Sequence, residues 1–158
     1  MAQEEMSQNL IRNTIREMQK GVVSPQVAFM IIKTANLAFE TPEAEYYLAR
    51  FLLDGIGVPQ DEKEGMQYLM RSAENGWVKA QAELGRRYFV GEGVEQDYAE
   101  AVKWLRHAAE KGDSIAANVL IDCYTYGLGV TPDKEEALKW LGATINEDFD
   151  GDEFELRS

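Results

Sequence analysis

DGIGVPQD (54–61) is the stretch on which the fold turns. A glycine-rich bend ahead of a helix can cradle a phosphate, or it can simply reverse the chain between two helices. The rest of the sequence answers by repetition. VGEGVEQD occupies 90–97 and YGLGVTPD occupies 126–133. Gly55, Gly91 and Gly127 are 36 residues apart, as are Gly57, Gly93 and Gly129, and Asp61, Asp97 and Asp133. Several copies at one interval mark a structural repeat. The K-[ST] of a phosphate loop is missing and no strand is predicted before any copy, which argues against a nucleotide site.

The residues around the turns read as helix pairs. Ala44, Leu48 and Leu52 recur as Ala80, Leu84 and Tyr88, then as Ala116, Leu120 and Tyr124. The four-residue spacing puts each set on one helical face. Gly55 and its counterparts fall just past the helix end, where a left-handed conformation favours a residue without Cβ. Gly57 lets the chain turn back, and Val58, Val94 and Val130 plug the space between helices. Asp61-x-x-Glu64, Asp97-x-x-Glu100 and Asp133-x-x-Glu136 each read as a capping box that opens a second helix. The apolar face continues as Gly65, Tyr68 and Ala73, then Ala101, Trp104 and Ala109, then Ala137, Trp140 and Ile145. Gly76 and Gly112 end the second helices. A buried Trp104 is expected to cost about 3–5 kcal/mol on truncation to Ala.

A worn copy precedes these units. Gly21 and Val22 lie 36 residues before Gly57 and Val58. Ser24-Pro25 offers an N-cap and a first-turn proline, 26–40 reads as a strongly apolar helix, and Thr41-Pro42 opens the next unit. Residues 2–20 supply the missing helix, with Leu10, Ile11, Ile15 and Met18 on a rough stripe. A terminal repeat loses its signature because one side has no neighbour.

The pattern A-x3-L-G-x2-Y-x2-G-x-G-V-x2-D-x3-A-x2-W-x3-A-A-E-x-G is met by residues 80–112, from Ala80 and Leu84 through Trp104 to Gly112. It closely resembles the Sel-1-like repeat, a relative of the tetratricopeptide repeat. The resemblance is strong over 44–145 and weak but in register over 8–43, and it departs after Trp140, where Thr144-Ile145 replaces Ala-Ala. It implies an all-α, right-handed superhelix of four helix pairs with a 36-residue period. The expected divisions are a capping repeat at 1–43, repeats at 44–79, 80–115 and 116–145, and a tail at 146–158.

In proteins of this kind the first helices line a concave groove that binds peptides or partner proteins. Carried over by the 36-residue interval, the lining is Glu43, Tyr46, Arg50, Leu53 and Asp54, then Lys79, Ala82, Arg86, Phe89 and Val90, then Ile115, Asn118, Asp122, Thr125 and Tyr126. Arginines beside aromatics have the composition of an interface hot spot, and Arg50 and Arg86 suit bidentate grip on carboxylates. The alternative for the aromatics is ordinary packing between repeats. Trp77 stands where other units carry Thr41 and Asp113, either as a lid over a seam or as an exposed contact.

The formal net charge of −12 argues against nucleic acid or an anionic membrane as partner and suits a basic one, or serves only solubility. The length suits one domain with one core. Cys123 is the single cysteine, so no internal disulfide forms, in keeping with a reducing compartment. The start of the chain has no apolar leader segment and no run of 18 apolar residues occurs, so a cytoplasmic location is expected. The tail NEDFDGDEFELRS (146–158) carries six acids and one base with Phe149, Phe154 and Leu156 between them. It reads as a solvated terminus, as a segment docking on the last repeat, or as an acidic peptide for a basic cleft.

Chemistry finds little support. The only histidine, His107, falls where the family pattern has a surface Lys or Arg, and a lone helical Cys123 reads as packing. Neither H-x3-H nor C-x2-C occurs, so no metal or other cofactor is expected. Some secreted relatives carry two cysteines per repeat and act on β-lactams; this chain lacks those cysteines. The expected role is a non-enzymatic adaptor binding a protein or peptide. The family also contains small bacterial proteins encoded beside toxins, so the alternative is an immunity-type inhibitor that neutralises a toxin or effector enzyme.

Overall fold

A computed structural model describes the backbone of residues 1–148 and the side chains of residues 1–145. The readings of the 146–158 tail, including docking by Phe149, Phe154 and Leu156, lie outside these described side chains. Among the described residues the chain is all helix: α1 (Ala2–Gln19), α2 (Pro25–Phe39), α3 (Pro42–Asp54), α4 (Glu62–Glu74), α5 (Val78–Val90), α6 (Tyr98–Glu110), α7 (Ser114–Tyr126) and α8 (Lys134–Asp148). The architecture is an all-α helical repeat solenoid. None of the described helices is long and apolar enough to cross a membrane.

The chain divides into two compact units, Met1–Leu84 and Gly85–Ser158, as suits a repeat in which each element touches only its neighbours. In the first unit α1 packs on α2 and α3, α2 on α3, and α3 on α4. Ile11, Ile15, Ala28, Ile32, Ala44, Leu48 and Phe51 form its core. In the second unit α7 packs against both α6 and α8, and Ala101, Leu105, Ala116, Leu120 and Tyr124 are buried.

The turn motif is explained by where its polar groups go. Gly55 and Gly127 cap α3 and α7 in the left-handed region, at φ 64° and 70°. The last carbonyls of a helix have no intrahelical donor, and after α3 three of them find partners in the turn. Phe51 O accepts from the Ile56 N–H, Leu52 O from the Asp61 N–H, and Leu53 O from the Gln60 side-chain amide. The second unit repeats this, with Tyr88 O taking the Asp97 N–H and Phe89 O the Gln96 amide.

This corrects the capping-box reading by half. Asp61 Oδ1 accepts from the Glu64 N–H, Asp97 Oδ1 from Ala99 and Glu100, and Asp133 Oδ1 from Glu135 and Glu136. The cap residue's own N–H does not wait for a glutamate. It already donates to the preceding helix, at Leu52 (3.0 Å), Tyr88 (2.9 Å) or Tyr124 (2.9 Å).

Three further expectations shift. The helices of the first pair run 37 residues ahead of the second, because Ile11 and Ile15 are buried as Leu48 and Leu52 are, and Ile32 as Leu69 is. Gly21 itself keeps the 36-residue interval: it lies ten residues after Ile11, where Gly57 lies nine after Leu48, and three before the cap Ser24, where Gly57 lies four before the cap Asp61. Leu10 lies off the buried stripe of α1 and is exposed, and Ile145 is exposed on the last turns of α8. Trp104 is half-buried, whereas Trp140 in the same slot is buried. Trp77 is half-buried with its indole N–H shielded from solvent, which favours the lid.

Candidate functional site

Thr41 caps α3 by accepting from the Ala44 N–H, and Pro42 sets the first turn. Tyr46, Arg50 and Asp54 then follow at four-residue intervals and share a face. Arg50 Nε donates to Asp54 Oδ2 at 3.1 Å, and one of its terminal nitrogens donates to the Tyr46 hydroxyl at 3.3 Å. Tyr47 meets Tyr46 edge to face, with ring centroids 5.3 Å apart. Burial raises the pKa of the Tyr47 phenol, with the charge of Glu43 adding to it, so it stays a donor.

These side chains border a pocket of about 260 Å³ within the first unit. Ile15 and Met18 of α1 and Phe51 of α3 make its apolar wall, while Tyr46, Tyr47, Arg50 and Lys79 bring polar ends to it. Lys79 is exposed and makes no ion pair among the described residues. An apolar wall with cationic and phenolic donors at the edge can hold a ligand that has an apolar body and a negatively charged or acceptor end.

Not every predicted lining residue reaches a surface. Glu43 is buried, and its Oε1 pairs with Arg12 Nε at 3.2 Å. Leu53 is buried against α4, where a Cβ on Gly65 would come within 2.8 Å of it. Both serve packing inside the first unit. Glu45, which was not singled out, is also buried beside Arg71 and has its pKa raised by burial.

The second unit holds the remaining candidates. Arg86 donates to Glu92 Oε2 at 2.9 Å. Phe89 packs edge to face on Tyr98 at 5.1 Å, so its ring closes a helix pair. Val90, Asn118, Asp122 and Tyr126 are exposed. The last three recur at four-residue intervals along α7, a face carrying an amide, an acid and an aromatic.

Sequence reasoning missed Tyr47, Phe51, Ile15 and Met18 as pocket residues. Tyr47 and Phe51 occupy slots next to carried-over ones. The α1 contribution was hidden because α1 runs out of step with the 36-residue interval.

The Sel1 repeat profile matches residues 42–77, 78–113 and 116–143. The chain belongs to the Sel1 repeat family. Two solved structures are similar. A Sel1 repeat protein from Oxalobacter formigenes superposes with a TM-score of 0.81 at 29% identity, over 89% of this chain and 58% of that one. The c5321 protein, a protective antigen of uropathogenic Escherichia coli strains displaying an SLR fold, gives 0.80 at 28% identity, over 92% of this chain and 32% of that one. The chain therefore spans less than two thirds of either relative. A comparison with curated protein sequences gives no match. Sel1 repeat proteins are generally protein-interaction modules.

Among the described residues no hydrogen bond joins His107 to Cys123. His107 is exposed beside Trp104, at 6.1 Å between centroids. Cys123 is buried, and burial, with the charge of Asp122, pushes its thiol up to about 11 from 9.0. The thiolate is the reactive form, so two units leave roughly 100-fold less of it at neutral pH. The folded protein is expected to resist a thiol reagent at pH 8 and to react fully once unfolded in guanidinium. A time course with an aromatic disulfide checks this, and rapid reaction of the native protein would refute it.

Proposed function

We propose that this chain binds a partner protein or peptide through its first-of-pair helices, with the pocket of Tyr46, Tyr47, Arg50 and Lys79 as the anchoring point. The supporting observation is the pocket itself. An unpaired ammonium and a guanidinium edge an apolar, aromatic wall in a chain that is otherwise strongly acidic. The partner segment enters with an apolar side chain and presents a carboxylate to Arg50 and Lys79. Asp122, Asn118 and Tyr126 of the second unit offer acceptors and an aromatic, which suits a basic stretch.

A second reading has the chain as an immunity-type inhibitor of a toxin or effector enzyme. The charge of −12 favours it, because an acidic surface is drawn to a basic cleft. Salt separates the two. An inhibitor gains its affinity from a fast on-rate that falls steeply with ionic strength, whereas a peptide anchored in an apolar pocket is less sensitive.

The test is affinity capture of the partner followed by calorimetry. Arg50→Ala and Lys79→Ala are each expected to weaken binding by about ten-fold. Both side chains are exposed, so the fold should be retained. Unchanged affinity in the double variant would refute the pocket as the anchor.

A further inference from the structure

The outward side of α2 is unlike that of the other second helices. With the buried Ala28 and Ile32 aligned to Gly65 and Leu69 of α4, the outward residues of α4 are Glu64, Gln67, Arg71 and Glu74. Those of α6 are Glu100, Lys103, His107 and Glu110. In α2 the same slots hold Val27, Met30, Thr34 and Leu37, all exposed, Met30 by 67% and Leu37 by 79%. Leu10, Ala38 and Phe39 extend the surface into an apolar groove of about 420 Å³.

The spacing of Val27, Met30, Thr34 and Leu37 is three, four, three, the a/d seam by which one helix receives another. No Asp or Glu lies anywhere in α2, unlike the other described helices, and its one charge is Lys33. In a chain with a net charge of −12, copies repel one another least at this face.

We propose that two copies of this chain associate through α2, with the helices antiparallel across a two-fold axis. A two-fold makes the same patch serve both subunits, so the patch must complement itself. Centred on Ile32, the antiparallel register sets Met30 against Thr34 of the partner subunit and Val27 against Leu37 of the partner subunit, a larger side chain facing a smaller one in each case. It also brings the exposed Glu40, at the end of α2, to the start of the partner's helix, where the dipole is positive. Leu10, Val27, Met30, Leu37 and Phe39 expose roughly 500 Å² of apolar surface per copy, so a pair covers about 1,000 Å², the lower end for a specific interface. Interfaces of this size are mostly weak and transient, so association in about the micromolar range is expected.

Sedimentation velocity across the micromolar range tests this. The mass should double with concentration, and Met30→Glu or Leu37→Glu should weaken association by about ten-fold or more. Both positions are exposed, so the unfolding midpoint should stay put when it is measured at concentrations where the parent is monomeric. Gln67→Glu, in the same slot of α4, should change nothing. For the register, a mixture of Met30→Cys and Thr34→Cys chains should cross-link faster than either alone; the native Cys123 is buried and does not interfere. A chain that stays monomeric throughout overturns the proposal, including the case where the face serves a different protein or a lipid surface. So does a Met30→Glu chain that pairs as well as the parent. Faster cross-linking of Met30→Cys with itself than in the mixture overturns the antiparallel arrangement.

Discussion

Replacing Gly129 with alanine is expected to destabilise the second unit by about 3 kcal/mol or more, since it combines a backbone penalty with a collision. Gly129 sits at φ 72°, in the left-handed region. A Cβ built there would lie 2.4 Å from both the carbonyl carbon and the oxygen of Tyr98. These are backbone atoms at the first turn of α6, so they cannot swing aside. Gly57 repeats the arrangement in the first unit, at φ 69° and 2.6–2.7 Å from Pro25 and the Gln26 nitrogen at the start of α2. Two other glycines separate the causes. Gly21 is also left-handed, at φ 75°, but a Cβ there meets nothing within 4 Å, so Gly21→Ala should cost only about 1 kcal/mol. Gly142 lies inside α8 with open space around it, and Gly142→Ala should stabilise by about 0.5–1 kcal/mol. Urea denaturation followed by circular dichroism gives all four values. If Gly129→Ala costs no more than Gly21→Ala, close approach to the preceding pair is not what the second glycine is for.

That second glycine shows how far the sequence could be read. The interval of 36 residues, the left-handed first glycine and the capping aspartate follow from local chemistry, and each is legible in one turn's worth of residues. The reason for Gly57 and Gly129 is not local. It lies in the first turn of the previous pair's second helix, more than 30 residues earlier, and no spacing rule points there. Gln60 and Gln96 were passed over for a related cause. A glutamine in a loop looks like solubilising surface until its amide is seen closing the next-to-last carbonyl of a helix seven residues back. The candidate site divides the same way. Tyr46, Arg50 and Asp54 were legible because helical spacing puts them together. Leu53 and Glu43 were misjudged as lining because repeat arithmetic transfers a slot without its neighbours. In this chain a second helix lies over Leu53, and Arg12 from the out-of-step α1 reaches Glu43.

The same arithmetic treats Tyr68, Trp104 and Trp140 as one position, yet truncation should separate the two tryptophans. Trp140 is only 7% exposed, and Trp140→Ala is expected to cost about 4 kcal/mol, the range for emptying a buried aromatic site. Trp104 is half-buried, with Lys103 over its ring and His107 beside it. A ring already partly in water forfeits less transfer energy and leaves no sealed cavity, so Trp104→Ala should cost about half as much. Phenylalanine probes a further difference. The Trp140 indole nitrogen is buried with no hydrogen-bond partner among the described residues, and a buried donor without an acceptor carries a penalty of about 1–3 kcal/mol. Trp140→Phe removes that donor while leaving a void the size of the lost ring, so the two effects oppose and the net change should stay within about 1 kcal/mol. Because the substitutions alter tryptophan fluorescence, unfolding is best followed by circular dichroism. Equal losses in Trp104→Ala and Trp140→Ala would mean that the slot is energetically uniform along the repeat. A Trp140→Phe loss as large as that of Trp140→Ala would mean that the indole nitrogen is satisfied in solution.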